Sequence, residues 1–144
     1  MNRQIRRVGL VVLAAALVCT GCGGKAPALK RTVEVENCGL GPLSARPRTL
    51  TLACADANSL AVDLVWSTWT SSTATATGRY TWNTCVPYCA ASKTWDKTQA
   101  SFTLSDPVHT SKGWLFERLA VHITGKVPSG VAANETYSEA PVGS

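Results

Sequence analysis

Six cysteines and two histidines are the side chains of this 144-residue chain best suited to covalent or metal chemistry. Cys19 and Cys22 form the sequence CTGC, whose C-x-x-C spacing occurs in redox couples, in zinc sites and in export-processing signals. The position of this pair in the chain decides between those roles. The other four cysteines are Cys38, Cys54, Cys85 and Cys89.

CTGC lies at the end of a segment with the features of an export signal. Arg3, Arg6 and Arg7 precede the uncharged run VGLVVLAAALV, and small residues around Gly21 follow it. A basic start, an apolar run and a small-residue cleavage site are together typical of a secretory signal peptide. The apolar run is shorter than the roughly 20 residues that a membrane-spanning helix needs. We therefore interpret residues 1–21 as a signal peptide, a context that disfavours a redox or metal role for CTGC.

The end of this signal resembles the lipobox of bacterial lipoproteins, in which an aliphatic residue and two small residues precede a cysteine. Thr20, Gly21 and Cys22 match the last three places, and Cys19 stands where leucine is usual. The resemblance implies cleavage before Cys22, lipidation of its thiol, and attachment to the extracytoplasmic face of the cell membrane. Acyl chains anchor a protein because each buried CH2 contributes about 0.8 kcal/mol. A freely secreted protein is the alternative.

The charge of the chain argues against a nucleic-acid partner. The formal net charge is +5, but removal of residues 1–21 leaves 11 basic and 9 acidic residues. Residues 32–125 contain seven of each sign, whereas a nucleic-acid-binding domain concentrates basic charge on one folded face. Basic residues near Cys22 are instead placed to meet anionic lipid headgroups.

Composition divides the mature chain into three parts. Residues 22–31 contain the lipidated cysteine and a linker of Gly, Pro and Ala. Residues 32–125 form one domain. Residues 126–144 have no apolar periodicity and few bulky apolar residues, so we predict a disordered tail.

Within residues 32–125 the apolar residues recur with a period of two, which is typical of β-strands. The alternation is present in six segments: TVEVE, TLTLAC, LAVDLVW, ATATGRYTW, ASFTL and WLFERLAVHIT. Turn-forming sequences such as DANS, WTSS and TSKG separate them. Six short strands joined in this way predict an all-β domain, either a small antiparallel β-sandwich or an open barrel.

Four cysteines remain in the domain after processing. An even number in a small exported domain indicates disulfide bonds, for which three pairings exist. We favour Cys38–Cys54, which would fix a long loop between strands, and Cys85–Cys89, which would close the tight loop CVPYC. These bonds would stabilise a domain whose core is small.

Catalysis or metal binding would depend on His109 and His122, the two histidines of the chain. A zinc site that joins them to the cysteines is disfavoured, because the paired C-x2-C spacing of zinc ribbons is missing. We place His109 in a loop and His122 on the outer face of a strand. We therefore expect no catalytic site, no metal and no cofactor. A small extracytoplasmic hydrolase that uses an acid near Asp56 with either histidine is the alternative.

Three short motifs occur within residues 38–125: CADAN, WSTW and CVPYCA. With the aliphatic and Ala/Gly-rich stretches between them, they resemble the pattern of a family of small actinobacterial exported proteins and lipoproteins. That family has no established activity, so the resemblance implies export and a small domain without indicating chemistry. The matching residues are Cys54, Asp56, Asn58, Trp66, Trp69, Gly78, Cys85, Pro87, Cys89 and Ala90.

Five aromatic side chains do not fit the apolar face of a predicted strand. If exposed together, such flat rings would form a platform for sugar rings or for the apolar surface of a partner. The alternative is that both sheet faces are partly buried, or that a β-bulge near Ser67 returns Trp69 to the core. We predict a tethered, non-enzymatic module that binds a glycan or protein of the cell envelope. The candidate binding residues are Trp69, Trp114, Phe116, Tyr88 and Trp95.

Overall fold

The computed structural model describes residues 31–39 and 41–138. These residues form seven β-strands and contain no helix, and so no helix that could cross a membrane. The six segments with alternating apolar residues all contribute to β1–β6, which confirms the all-β class. The predicted signal peptide and Cys22, the predicted lipidation site, lie outside the described residues. The strands are β1 (Val33–Glu34), β2 (Thr49–Thr51), β3 (Ser59–Trp69), β4 (Ala74–Asn83), β5 (Trp95–Thr110), β6 (Gly113–Ile123) and β7 (Asn134–Ser138).

The strands form one sheet that curls into a half-barrel, in the order β1-β6-β5-β4-β3-β2. The open barrel is therefore the form that the all-β domain takes. β6 pairs with β5 along one edge, and with both β1 and β7 along the other. The sheet is mixed rather than wholly antiparallel, because β1 runs parallel to β6, with Val33 opposite Trp114.

The concave face of the sheet holds the core. Alternate residues of β4, β5 and β6 point inward, and the threonines between them point outward. Small alanines on β4 and β5 leave room for Phe102, which is completely buried. The inward residues of these three strands are Ala74, Ala76, Tyr80, Ala100, Phe102, Leu104, Leu119, Val121 and Ile123.

Two irregularities on β3 change which side chains face the core. The pairing with β4 shifts between Val62 and Val65 and again between Trp66 and Thr68. Asp63 lies at the first shift with a φ of 54°, a conformation that aspartate tolerates, and its carboxylate pairs with Arg79 at 2.9 Å. The simple alternation that we predicted along LAVDLVW is therefore wrong before the shift, because Ala61 rather than Val62 is buried.

The predicted disordered tail is wrong for residues 126–138. Asn134–Ser138 forms β7 and pairs with β6, and Pro128 is buried. Tyr137 packs against the core and donates a hydrogen bond to Glu135. Burial and the hydrogen bonds with Glu135 and Tyr80 raise the pKa of Tyr137. The folded domain thus extends at least to Ser138, and residues 139–144 lie outside the described part.

The disulfides join Cys38 to Cys54 and Cys85 to Cys89, the two pairings that the sequence favoured. Their Cα atoms are 5.3 Å and 3.8 Å apart. The first bond links the segment after β1 to the loop after β2. The second closes a short loop between β4 and β5.

The sheet has two different ends. The hairpins β3–β4 and β5–β6 close with short turns at one end, which we call the turn end. Three of the four longer connections, residues 52–58, 84–94 and 124–133, lie at the other end, which we call the loop end. Arg31 lies at the turn end, since its guanidinium donates to the carbonyl oxygen of Ser71 at 3.1 Å and stacks 3.9 Å from the ring centre of Trp114.

Candidate functional site

The five candidate aromatics do not form one platform. The curled sheet separates Trp69, Trp114 and Phe116, at the turn end, from Tyr88 and Trp95, at the loop end. The two groups therefore have different surroundings.

Trp69 and Phe116 belong to the core. Phe116 is fully buried, and the prediction that it forms part of a binding surface is wrong. Trp69 packs edge-to-face against Phe116, with ring centres 5.6 Å apart, and against Trp66 at 4.7 Å. Its indole N–H donates to the carbonyl oxygen of Val33 at 2.8 Å, so the polar atom of the ring is satisfied internally.

An interruption of regular alternation explains the position of Trp69. The second shift on β3, next to Ser67, rotates Trp69 back to the core side, as the alternative to the platform required. On β5 and β6, by contrast, the register is the same on both sides of Asp106, whose φ is 53°. Phe116 lies opposite Pro107 and packs against Trp69, and it is buried although its sequence phase is that of polar residues.

Trp114 is half-buried and is covered by its own chain. The Arg31 guanidinium lies over one part of the ring, and the His109 ring packs against it with centres 5.0 Å apart. A shallow cavity of about 380 Å³ adjoins this cluster. Because Arg31 already occupies the ring, Trp114 offers little free aromatic surface. The residues that line the cavity are Arg31, Thr32, Val33, Trp69, Thr70 and Ser71.

Tyr88 and Trp95 are the two candidate aromatics that the structure exposes. Tyr88 is 64% exposed and lies within the disulfide-closed loop. Trp95 is 41% exposed and is the most exposed of the five tryptophans. It begins β5 and pairs with Asn83. The ladder therefore fixes the backbone from which its ring projects.

Trp95 forms one wall of an open groove of about 570 Å³ at the loop end. Three segments meet there: the turn after β2, the end of β4 and the disulfide-closed loop. The groove combines an aromatic ring, amide side chains and one carboxylate. The residues that line it are Asp56, Ala57, Asn58, Asn83, Cys89, Ala90 and Trp95.

The floor of the groove is a closed network of amide hydrogen bonds. The Asn83 side chain donates from Nδ2 to Asn58 Oδ1 at 2.9 Å and to the Cys89 carbonyl oxygen at 3.0 Å. Its Oδ1 accepts from the backbone N–H of Cys85 at 2.9 Å. The network joins both ends of the disulfide loop to the turn at Asn58, so it fixes the shape of the floor.

Asp56 plays the turn-forming part that its position in CADANS suggested. Its Oδ1 accepts from the backbone N–H of Asn58 at 3.1 Å, and its Oδ2 accepts from Asn58 Nδ2 at 2.8 Å. Ala57 between them has a φ of 53°. The carboxylate is nevertheless exposed and faces the groove, so turn formation does not exhaust its capacity to accept hydrogen bonds.

Neither histidine lines the groove that contains Asp56. His109 lies on β5 at the turn end, not in a loop as expected, and packs against Trp114. His122 is exposed on β6, where its Nδ1 lies 2.6 Å from Asn134 Oδ1. The structure therefore does not bring together the acid and base that the hydrolase alternative requires. Among residues 31–39 and 41–138, no three His, Cys, Asp or Glu side chains are grouped as a metal site.

Asn83 is the residue of the groove that sequence analysis missed. It stands in the turn-forming sequence NTCVPYC, 25 residues from Asn58. The β3–β4 register brings the two asparagines together, because Ser59 pairs with Trp82. The available signal was an asparagine just before β3, Asn58, and another at the end of β4, Asn83. Only the register of the two strands shows that these side chains meet.

Comparisons of this chain with protein-family models, with curated proteins and with solved structures gave no match.

Proposed function

We propose that the protein is a membrane-tethered extracytoplasmic lipoprotein whose β domain binds a component of the cell envelope at its loop end. Cys22 carries the lipid, residues 23–31 are the tether, and the domain acts as a binding module rather than as an enzyme. The signal sequence, the lipobox-like residues and the resemblance to exported actinobacterial proteins support the anchor. Two disulfides agree with an oxidising compartment.

The observation that carries this proposal is the separation of the tether from the exposed aromatics. Arg31, where the tether joins the domain, contacts Ser71 and Trp114 at the turn end. Nine residues beyond Cys22 reach at most about 30 Å, so an anchor at Cys22 would hold the turn end near the bilayer. Tyr88 and Trp95 would then face away from the membrane.

The surfaces at the two ends favour binding at the loop end. At the turn end, the aromatic rings are buried or covered, and Lys112 is paired with Glu36. At the loop end, the large apolar side chains exposed by at least 41% include Val86, Tyr88 and Trp95. Long connections held by a rigid sheet are where proteins commonly carry binding residues.

Membrane attachment is tested with the full-length chain expressed in an actinobacterial host. Wild-type protein should incorporate labelled palmitate and sediment with membranes, whereas Cys22→Ala should lose the label and leave the membrane fraction. Cys19→Ala is the matched control, because Cys19 departs with the signal peptide. Wild-type protein that is secreted without lipid would support the freely secreted alternative.

Binding at the loop end is tested by envelope capture with wild-type protein and two variants. Trp95→Ala removes the exposed ring at the loop end, and Val65→Ala removes a side chain of β3 that is 65% exposed outside the groove. We expect capture of envelope material by wild type and Val65→Ala, and a large reduction with Trp95→Ala. Equal capture by all three proteins contradicts the proposal, as does substrate turnover by the purified protein.

A further inference from the structure

The groove at the loop end has a chemistry that indicates the class of its ligand. We propose that it binds a saccharide, with a sugar ring stacked on the indole of Trp95 and a sugar hydroxyl or amine donating to Asp56. This inference rests on the proposed function, because it names the kind of envelope component that the loop end recognises.

The floor of the groove is organised before any ligand arrives. Asn83 uses Nδ2 for Asn58 and for the Cys89 carbonyl, and uses Oδ1 for the Cys85 N–H. Asn58 uses its own Nδ2 for Asp56. Because these amide groups are already paired, they set the shape of the groove, and binding costs less ordering of side chains than in a mobile site.

Asp56 is the charged hydrogen-bond acceptor of the groove, and it has capacity left for a ligand. Each of its oxygens accepts one bond from Asn58, whereas a carboxylate offers about four lone-pair sites. The remaining sites face solvent, since Asp56 is exposed. A ligand group that binds Asp56 must therefore donate, through a hydroxyl or an amine. A phosphate or carboxylate ligand would meet the negative charge of Asp56 without a donor to offer it.

Trp95 adds the second requirement, a flat apolar surface. Its ring is 41% exposed and its backbone is paired with Asn83, so the ring is presented from a fixed strand. A pyranose ring carries C–H groups on one face and hydroxyl donors around its rim, and so fits both requirements at once. The groove volume of about 570 Å³ lies within the range of small-molecule sites.

A lysine side chain is the other chemical group that could use this pair of residues. Its ammonium would stack on Trp95 as a cation–π contact and donate to Asp56. A saccharide fits this pair more fully, because a pyranose offers an apolar face and several hydroxyl donors, whereas a lysine side chain offers one ammonium group. A lysine peptide is therefore included in the test as a competing ligand.

The test uses the lipidated full-length protein in lipid nanodiscs, free of glycoside detergents that would occupy the groove. Trimers of N-acetylglucosamine, glucose, mannose and galactose are titrated by calorimetry, beside an uncharged-ended Gly-Lys-Gly peptide. Acrylamide quenching of tryptophan fluorescence provides a second readout, since Trp95 is the most exposed tryptophan. We expect at least one trimer to bind and to protect tryptophan from quenching.

Four variants show whether binding uses this groove. Trp95→Ala should weaken the bound trimer at least about ten-fold, as loss of a central tryptophan typically does. Asp56→Asn should weaken it several-fold while keeping a side-chain oxygen for the turn. Asp96→Asn is the matched control for Asp56, because Asp96 lines a different cavity with Trp82, and Val65→Ala is the control for Trp95. Near-ultraviolet circular dichroism checks that each variant is folded.

The outcomes separate this inference from the proposed function. Trimer binding that depends on Trp95 and Asp56, but not on Asp96 or Val65, supports the saccharide site. Absence of trimer binding, or binding of the lysine peptide alone, overturns it. In either of those cases, envelope capture that still depends on Trp95 leaves the proposed function standing. Trimer binding unchanged by Trp95→Ala also overturns the assignment of the groove.

Discussion

The pair formed by Glu36 and Lys112 gives an asymmetric prediction about stability. Glu36 follows β1 and its side chain is 1% exposed, whereas the Lys112 side chain, in the β5–β6 turn, is 52% exposed. Lys112 Nζ contacts one carboxylate oxygen, Oε1. The other, Oε2, is buried and has no hydrogen-bond partner in the structure. Removal of Lys112 and removal of Glu36 should therefore have very different effects on stability.

Lys112→Met should lower the free energy of unfolding by about 3 kcal/mol. The substitution leaves a buried carboxylate without its cation, which typically costs 3–5 kcal/mol. The lower part of that range applies because the lysine is half-exposed and its attraction is screened by solvent. Glu36→Gln should cost only about 1 kcal/mol, because Lys112 can extend into water and the amide keeps an acceptor oxygen. Adding Glu36→Gln to the Lys112→Met variant should restore most of the free energy of unfolding that Lys112→Met loses.

The measurement is urea unfolding with disulfides intact, followed by tryptophan fluorescence, for wild type, both single variants and the double variant. In a domain of about 100 residues, each kcal/mol shifts the thermal midpoint by about 4–8 °C, which gives a second readout. Lys93→Met, at an exposed lysine of the β4–β5 loop, should change stability by less than about 0.5 kcal/mol. A Lys112→Met loss no larger than that of Glu36→Gln would refute the reasoning.

Four further predictions concern other parts of the structure. A Cβ on Gly78 would lie 2.8 Å from a β3 carbonyl oxygen, so Gly78→Ala should cost about 1–3 kcal/mol in urea unfolding. Tyr137→Ala should cost about 2 kcal/mol, and an unchanged midpoint would mean that β7 adds nothing to the fold. The raised pKa of Tyr137 implies that wild-type stability declines above pH 10, where the unfolded tyrosine ionises, and that Tyr137→Phe reduces this decline. The double variant Cys85→Ser, Cys89→Ser should weaken trimer binding but lower the thermal midpoint only slightly, because the Cys89 carbonyl holds the groove floor.

Strands β1–β6 could be predicted because each buries one face of a curled sheet, so its sequence alternates. The prediction failed for β7 because Asn134–Ser138 is only five residues long and exposes three of them. Tyr137 is the bulky residue of this strand that packs on the core. One such residue is too weak a pattern to separate a short edge strand from a polar tail.

The phase of individual side chains was harder to predict than the strands themselves. Alternation assigns a face only while the ladder is regular, and β3 changes phase twice. Asp63 and Asp106 mark irregular positions with φ values of 54° and 53°, and each pairs with an arginine of a neighbouring strand. An aspartate within an otherwise apolar strand was the available signal. It does not tell whether the next side chain turns inward or outward.

The candidate groove depends on contacts across the sheet, which local sequence does not determine. Asp56 and Asn58 could be predicted as a turn because their bonds join neighbours in the chain. Their meeting with Asn83 and Trp95 requires both the β3–β4 and the β4–β5 registers. The sequence left open whether Trp95 is exposed, and it did not predict the fixed position of Trp95 on a strand.

The direction in which the chain enters the sheet connects the proposed anchor to the proposed site. β1 runs parallel to β6, away from Arg31, so the first crossing of the sheet brings Cys38 to the loop end. The turns at the Arg31 end are short, Thr70–Thr73 and Ser111–Lys112, and the proposed tether of nine residues would leave little space there for a large ligand. The long, disulfide-linked connections lie at the opposite end, where an anchor at Cys22 would leave the approach open. Moving the anchor to the loop end should therefore abolish envelope capture while the domain stays folded. Capture that survives this change would contradict the proposed orientation.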